Sequence, residues 1–447
     1  VAGCSNAVCT PSYAWAKRAG SASNYQTTSG FAELANGNVV VVGSFYGSIN
    51  LGSTTMNALG SADLFVAVLN RVTGGVISQQ RFGAAGVEMA ARRVEVDSGG
   101  NILVSGGLAG GSVSFGGPST AGNTSFVVSL TSTLGHRWTA AFTLGGYPSS
   151  VAIVVSGAGR VAVFGRCFGG TSLGGAVFPA SDSFDACVAV FDEAGAYQWS
   201  YAFGAYATGD AASAAAFDGA GNLYVTGSFS STMTVGATTL QATAGGESDI
   251  FVAAFTLAGG VTWARSFGGT GPQYPNSMTF SASASELLIP GDFYGSVTFN
   301  GQTSTSVGDS NDSEGFIARY TTNGVPVLLK AYANSTNGTY FSPHTVSLDG
   351  DGNLIVIGQG RNNPPIDGVV TSSSGVGHCV AIYRSNWSIS WRGCFADGAG
   401  IEARRSLVLR DSSFLLGGVT GAAPVEFGGG PLVGGGDVDA YMVRYAR

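Results

Sequence analysis

The segment SAAAFDGAGNLYVTGSF, Ser213–Phe229, and its continuation DIFVAAFTLAGGVTWARSFGG, Asp249–Gly269, decide the fold. Two apolar runs flank the turn DGAGN. A Gly/Thr-rich loop leads to a third run, and the short turn LAGG leads to a fourth. Short runs rich in aliphatic and aromatic residues, alternating in character and bounded by Gly and Asn, read as strands joined in antiparallel hairpins.

The unit recurs. Aligned on Phe267 of WARSFGG, the same place is held by Ala19, Phe82, Phe142, Phe203, Tyr332 and Phe395. That makes seven copies spaced by roughly 60 to 65 residues, somewhat longer than the short propeller repeats. Trp15, Trp138, Trp199, Trp263 and Trp391, five of the six tryptophans, sit at one position of this frame, which chance placement would not produce. Four antiparallel strands repeated seven times predict an all-β chain folded as a seven-bladed β-propeller. The frame opens on a lone fourth-strand segment, AWAKRAG, and ends on a third-strand segment, DAYMVRYAR. The N-terminal strand is therefore expected to complete the last blade. Residues 1–12 are a tail and 13–447 a single propeller domain.

Composition narrows the class. Gly accounts for 71 of 447 residues and charged residues for only 11%, against about 25% in ordinary globular proteins. The polar surface must come from Ser, Thr, Asn and Gln. A net charge of −7 with no basic stripe argues against nucleic acid. No apolar run approaches the ~20 residues of a spanning helix.

The pattern D-x-x-G-N-[LI]-x-V-x-G followed by W-x-x-x-F-G-G resembles the bacterial seven-bladed β-propeller repeat family, over nearly the whole chain from about Tyr13. The resemblance implies a secreted or cell-surface protein and says little about activity. Copies six and seven depart most: LRDSSFLLGGVTG has lost the Gly-Asn turn.

Six cysteines fall as near neighbours without a CxxC pair, which favours disulfides in an oxidising compartment over zinc. In the strand frame Cys167 and Cys187, and Cys379 and Cys394, lie on adjacent strands of one blade. Each bridge is worth roughly 3 kcal/mol in the chain-entropy picture. VAGC at Val1–Cys4 resembles a bacterial lipobox, but residues precede the cysteine, and a Cys4–Cys9 disulfide is the expectation.

Candidate site residues are few. Asp97, Asp218 and Asp349 precede Gly-rich turns, where Asp caps its own turn and Gly or Asn takes positive φ. DGDGN at Asp349 lacks the Gly and Glu of a calcium loop. Asp63, Asp185, Asp249, Asp439 and Glu314 recur just before the third strand and are expected to make one structural hydrogen bond per blade. DSNDSE, with Asp309, Asp312 and Glu314, is the one dense acidic patch and the one place offered to calcium; no other cofactor is expected. Arg92–Arg93 and Arg404–Arg405 open the inner strands of blades two and seven, with Glu33, Glu88 and Glu402 nearby, and are expected at a channel mouth where an anion could bind. Tyr46 and Tyr294 hold matching loop positions that suit a sugar ring. His136, His344 and His378 fall in different blades, and no nucleophile, metalloprotease or phosphate-loop motif is present.

The expectation is therefore a non-catalytic, secreted or surface-displayed protein acting in protein interaction, adhesion or extracellular assembly. Its partner is expected to be a protein or further copies of itself. The alternative is a carbohydrate-binding propeller. A hydrolase or lyase would need an acid/base pair at the channel mouth.

Overall fold

The computed structural model describes residues 11–20, 25–143, 151–179, 183–204, 209–243, 247–306, 313–332, 338–371, 376–395, 402–421, 424–433 and 438–447. They form strands and no helix. Seven antiparallel sheets stand as blades around a central channel. Blade one is Gln26–Glu33, Val39–Phe45, Asp63–Leu69 and Val76–Phe82, from the inside outwards. Blade two runs from Glu88–Val96 to His136–Phe142, blade three from Val151–Val155 to Tyr197–Phe203, and blade four from Ala211–Phe217 to Val261–Phe267. In blade five the inner strand is split into Gln273–Pro275 and Thr279–Ser281. Blade six spans Tyr340–Leu348 to Ile389–Phe395.

Blade seven closes the ring as expected. Its strands Glu402–Val408, Phe414–Thr420 and Asp439–Ala446 are completed on the outside by Ser12–Ala19, paired with Asp439–Ala446. Arg18 Nε donates to Asp439 Oδ2 at 2.7 Å, with both side chains almost fully buried. Arg71 of blade one pairs with Asp411 of blade seven at 2.9 Å, spanning the same seam.

The core divides into seven clusters, each lying between two adjacent blades. Val40 and Val42 pack with Val94, Val104 and Phe126 of blade two, whereas Val39 and Val41 pack with Leu415 and Met442 of blade seven. Successive side chains of a strand point to opposite faces, and here both faces are covered. The strands are thus apolar almost throughout, rather than alternating as the sequence reading held. Leu223–Phe229 and Asp249–Phe255 are buried at every position.

The tryptophan frame is an inter-blade latch. Trp15, Trp138, Trp199 and Trp263 on outer strands donate Nε1 to carbonyls of Arg71, Glu193, Leu257 and Thr322, in the third turn of the next blade, at 2.8–3.2 Å. The turn glycine lies on the indole. A Cβ at Gly259, where φ is 85°, would come within 2.7 Å of the Trp199 ring. Trp391 faces blade seven, whose outer strand is Ser12–Ala19 from the other end of the chain. It stacks on Phe395 instead.

The variable loops between second and third strands are more ordered than their composition suggests. In six blades the described residues form a small hairpin, such as Thr232–Val235 with Thr238–Gln241. Alternate apolar residues, here Met233 and Val235, are fully buried beneath it.

Both disulfides within the described residues form as expected. Cys167–Cys187 joins the second and third strands of blade three, and Cys379–Cys394 joins directly opposed residues of blade six. Cys4 and Cys9 lie outside the described residues.

Candidate functional site

Inner strands in five blades carry the same irregularity. The ladder to the second strand slips by one residue at Ser29, Arg92, Ser213, His344 and Arg404. Each is a β-bulge, a device that re-aims a side chain and is common beside binding sites. Blade five breaks its inner strand at the equivalent place, Asn276–Met278.

The bulge and the repeat motif explain each other. The final Gly of x-V-x-G sits on the second strand opposite the bulge. At Gly227 a Cβ would fall 1.8 Å from the Ala211 carbonyl oxygen, and Gly43, Gly106 and Gly358 show the same close approach to an inner-strand carbonyl.

The inner strands enclose a channel cavity of about 500 Å³, within the usual range of small-ligand sites. Arg92, Arg93 and Arg405 line it, as do Ser29, Ser213, Ser277 and His344. The arginine pairs lie in mid-strand, inside the channel rather than at its mouth. The carboxylates differ from expectation too. Arg93 pairs with Glu95 at 2.9 Å, Glu88 accepts a hydrogen bond from Tyr46, and Glu33 accepts from the Arg410 amide. Arg405 Nε donates to the Ser29 carbonyl at 2.7 Å. The side chains of Arg404 and Glu402 lie outside the described residues.

Arg92 differs from its neighbours. Its guanidinium makes no hydrogen bond or ion pair with a described residue, although it stands in the channel wall. The surrounding channel wall, then the charges of Arg93 and Arg166, lower its pKa, although the side chain stays exposed to the channel. The side chains of Ser29, Ser213, Ser277 and His344 likewise have no hydrogen-bond partner among the described residues. Ser277 Oγ is shielded from solvent as well. Ser29, Ser213 and His344 are half-buried and Arg92 is exposed to the channel, so their unused donors and acceptors stand open to whatever enters it; only the Ser277 hydroxyl is a buried polar group without the partner such groups normally have.

Burial, with Arg405 nearby, pushes His344 down to about 4. Burial, with His344, pushes His378 down to about 3; His378 packs edge-on against Tyr441. Both native histidines refuse a proton that the unfolded chain accepts near its ordinary value of about 6.5. Stability conferred by the neutral rings is therefore complete above about pH 6.5 and is lost as pH falls from there towards 4. His378 alone accounts for roughly 3 kcal/mol of that loss by pH 4. Asp292, raised by burial to about 6, has the opposite sign, losing stability as pH rises towards 6. Urea midpoints of the wild type and His378→Asn between pH 7 and 4 separate the two. The wild type should lose more stability than the variant, and equal slopes would refute the assignment.

The other sequence candidates resolve as turns and struts. Asp218 accepts from the backbone and side-chain amides of Asn222, at 2.9 and 2.8 Å, and Asp97 and Asp349 hold Asn101 and Asn353 in the same way. Asp63 accepts the amides of Leu59 and Gly60 and pairs with Arg81, and Asp249 accepts from Thr243. Asp309 and Asp312 lie outside the described residues; Glu314 is buried at the start of its strand. Among the described residues no group of three or more His, Cys, Asp or Glu side chains is placed to hold a metal. Tyr46 and Tyr294 stand on blades one and five and are not brought together.

The sequence reading missed the bulge ring. Its signal was present: counting five residues back from the start of each first turn gives Ser29, Arg92, Val151, Ser213, Asn276, His344 and Arg404. Six of these seven are polar.

No family model matches the chain, and no curated protein matches it. Among solved structures the chain is similar to the β-propeller domain of the Trilobed protease from Pyrococcus furiosus, with 9% identity, 92% of this chain and 95% of that one covered, and a TM-score of 0.45. It is also similar to hydrazine synthase of Kuenenia stuttgartiensis, with 10% identity, 87% and 92% coverage, and a TM-score of 0.46. A protein of unknown function from Dyadobacter fermentans gives 9% identity, 96% and 99% coverage, and a TM-score of 0.40. At these identities and scores no activity of theirs is carried over.

Proposed function

We propose that this chain is an exported, non-catalytic binding protein that takes an anionic group into its central channel. One observation carries the reading: Arg92 projects from a bulge into the channel with two further arginines beside it and no carboxylate of its own. Like charges gathered there repel one another, and an incoming anion relieves that repulsion, most strongly in a bidentate pair. Two disulfides agree with an oxidising setting. No helix among the described residues is long and apolar enough to cross a membrane. The nearby carboxylates Glu95 and Glu33 are engaged by Arg93 and the Arg410 amide, which favours binding over acid/base chemistry. An anionic group borne on a partner surface would serve interaction, adhesion or assembly.

The test is thermal unfolding at low ionic strength with and without sulfate, citrate and galacturonate. At least one anion should raise the melting temperature of the wild type by several degrees and leave Arg92→Gln unmoved. The anion-free variant should be as stable as the wild type or more so, because a repelling charge has gone. A variant that still responds to the same anion would sink the proposal.

A further inference from the structure

We infer that the channel's ligand is an acidic saccharide, its carboxylate held at Arg92 and its ring hydroxyls by the polar side chains of the facing blades. This rests on the anion reading above and narrows it. In a ring of seven, blade two stands opposite blades five and six. Arg92 therefore looks across the cavity at Ser277 and His344. Those two groups are uncharged and lack partners, and Ser213 of blade four adds another hydroxyl without one. A neutral imidazole and a hydroxyl each offer both a donor and an acceptor. A bare anion needs only the cationic wall. A ligand that carries hydroxyls on the side away from its charge uses both walls.

A second observation comes from one end of the channel. Tyr25 and Tyr340 stand four residues before the bulges Ser29 and His344, about 13 Å along the strand. Tyr46 meets Tyr25 edge-on with ring centroids 6.3 Å apart, and Tyr294 lies close enough to Tyr340 to raise its pKa. Tyr25 and Tyr274 are about two-fifths exposed. Tyrosine presents an apolar face with a polar tip, a surface suited to the C–H face and hydroxyl rim of a sugar ring. The sequence candidate Tyr46 thus belongs to an aromatic pair at this end, and Tyr294 lies near Tyr340 at the same end.

Calorimetric titration of the full chain at low salt tests this with four probes: trigalacturonate, its methyl ester, citrate, and a hexapeptide rich in Asp and Glu. The proteins are wild type, Arg92→Gln and Ser277→Ala. Ser277→Ala removes a buried hydroxyl that has no partner, so it should fold normally, which a melting curve checks. Trigalacturonate should bind the wild type at least tenfold more tightly than its methyl ester and than citrate. Arg92→Gln should weaken it at least tenfold. Ser277→Ala should weaken trigalacturonate several-fold and leave citrate unchanged. If citrate or the peptide binds as tightly as trigalacturonate and Ser277→Ala changes nothing, the saccharide inference falls while the anion reading stands. If no anionic probe binds, or Arg92→Gln binds them all as well as the wild type, both fall.

Discussion

Deletion of residues 1–20 should abolish the cooperative unfolding of the native ring. The strand Ser12–Ala19 supplies the outer edge of blade seven, and Trp15 latches that blade to the Arg71 turn of blade one. Losing a buried indole costs about 3 kcal/mol. Removing Arg18 from the buried Asp439 carboxylate costs a further 3–5 kcal/mol or so, because the acid stays in a desolvated place without its guanidinium. The sum, about 6 kcal/mol or more, rivals the whole stability of many domains, about 5–15 kcal/mol. The measurement is urea unfolding followed by tryptophan fluorescence and by circular dichroism. The truncated chain should show broad, non-coincident transitions at much lower urea. An unchanged midpoint would mean that the ring does not depend on this closure. Arg18→Met isolates the ionic share and should cost about half of the total.

Gly227→Ala should be the most damaging single methyl addition in the molecule's repeat frame. The new carbon has nowhere to go: the Ala211 carbonyl oxygen lies 1.8 Å away and the Phe251 ring 2.8 Å. The first is backbone, so rotamer changes cannot relieve the overlap. The inner strand of blade four would have to move, and with it the bulge at Ser213. Overpacking of this kind costs about 3 kcal/mol or more. A control is Gly219→Ala in the exposed turn, where nothing lies within 4 Å of the new carbon and φ is not positive. That change should fall within about 0.5 kcal/mol of the wild type. If the two variants melt alike, the bulge is not what requires the glycine. The same reasoning makes Gly227→Ala a long-range probe of the channel, since it displaces a residue of the cavity wall without touching the cavity.

Much of this fold was legible from the sequence because its information is local and repeated. Turn chemistry at Asp218–Asn222, the tryptophan position and the phase of the two chain ends each constrain a few neighbouring residues, and seven copies make the pattern hard to miss. The disulfides followed from the same frame. The strand pattern was less faithful. A blade is packed on both faces, so hydrophobic alternation is lost, and the tight LAGG and DGAGN turns had to carry the assignment.

The binding site was legible only in fragments. Arg92 stood out as half of an arginine pair in an inner strand, but it was assigned to a channel mouth beside glutamates, of which Glu33 and Glu88 are engaged elsewhere. A bulge is a mismatch between two paired strands, and a single strand read alone does not display it. Ser29, Ser213, Ser277 and His344 are ordinary residues in their own segments, each roughly a repeat or more away from the next. They become a set because ring closure brings inner strands to one axis. The sequence determined the repeat, the blade and the closing strand, through short-range turn and packing preferences. Which polar side chains share one cavity was decided by the tertiary structure, because that convergence depends on blades far apart in the chain meeting around a common centre.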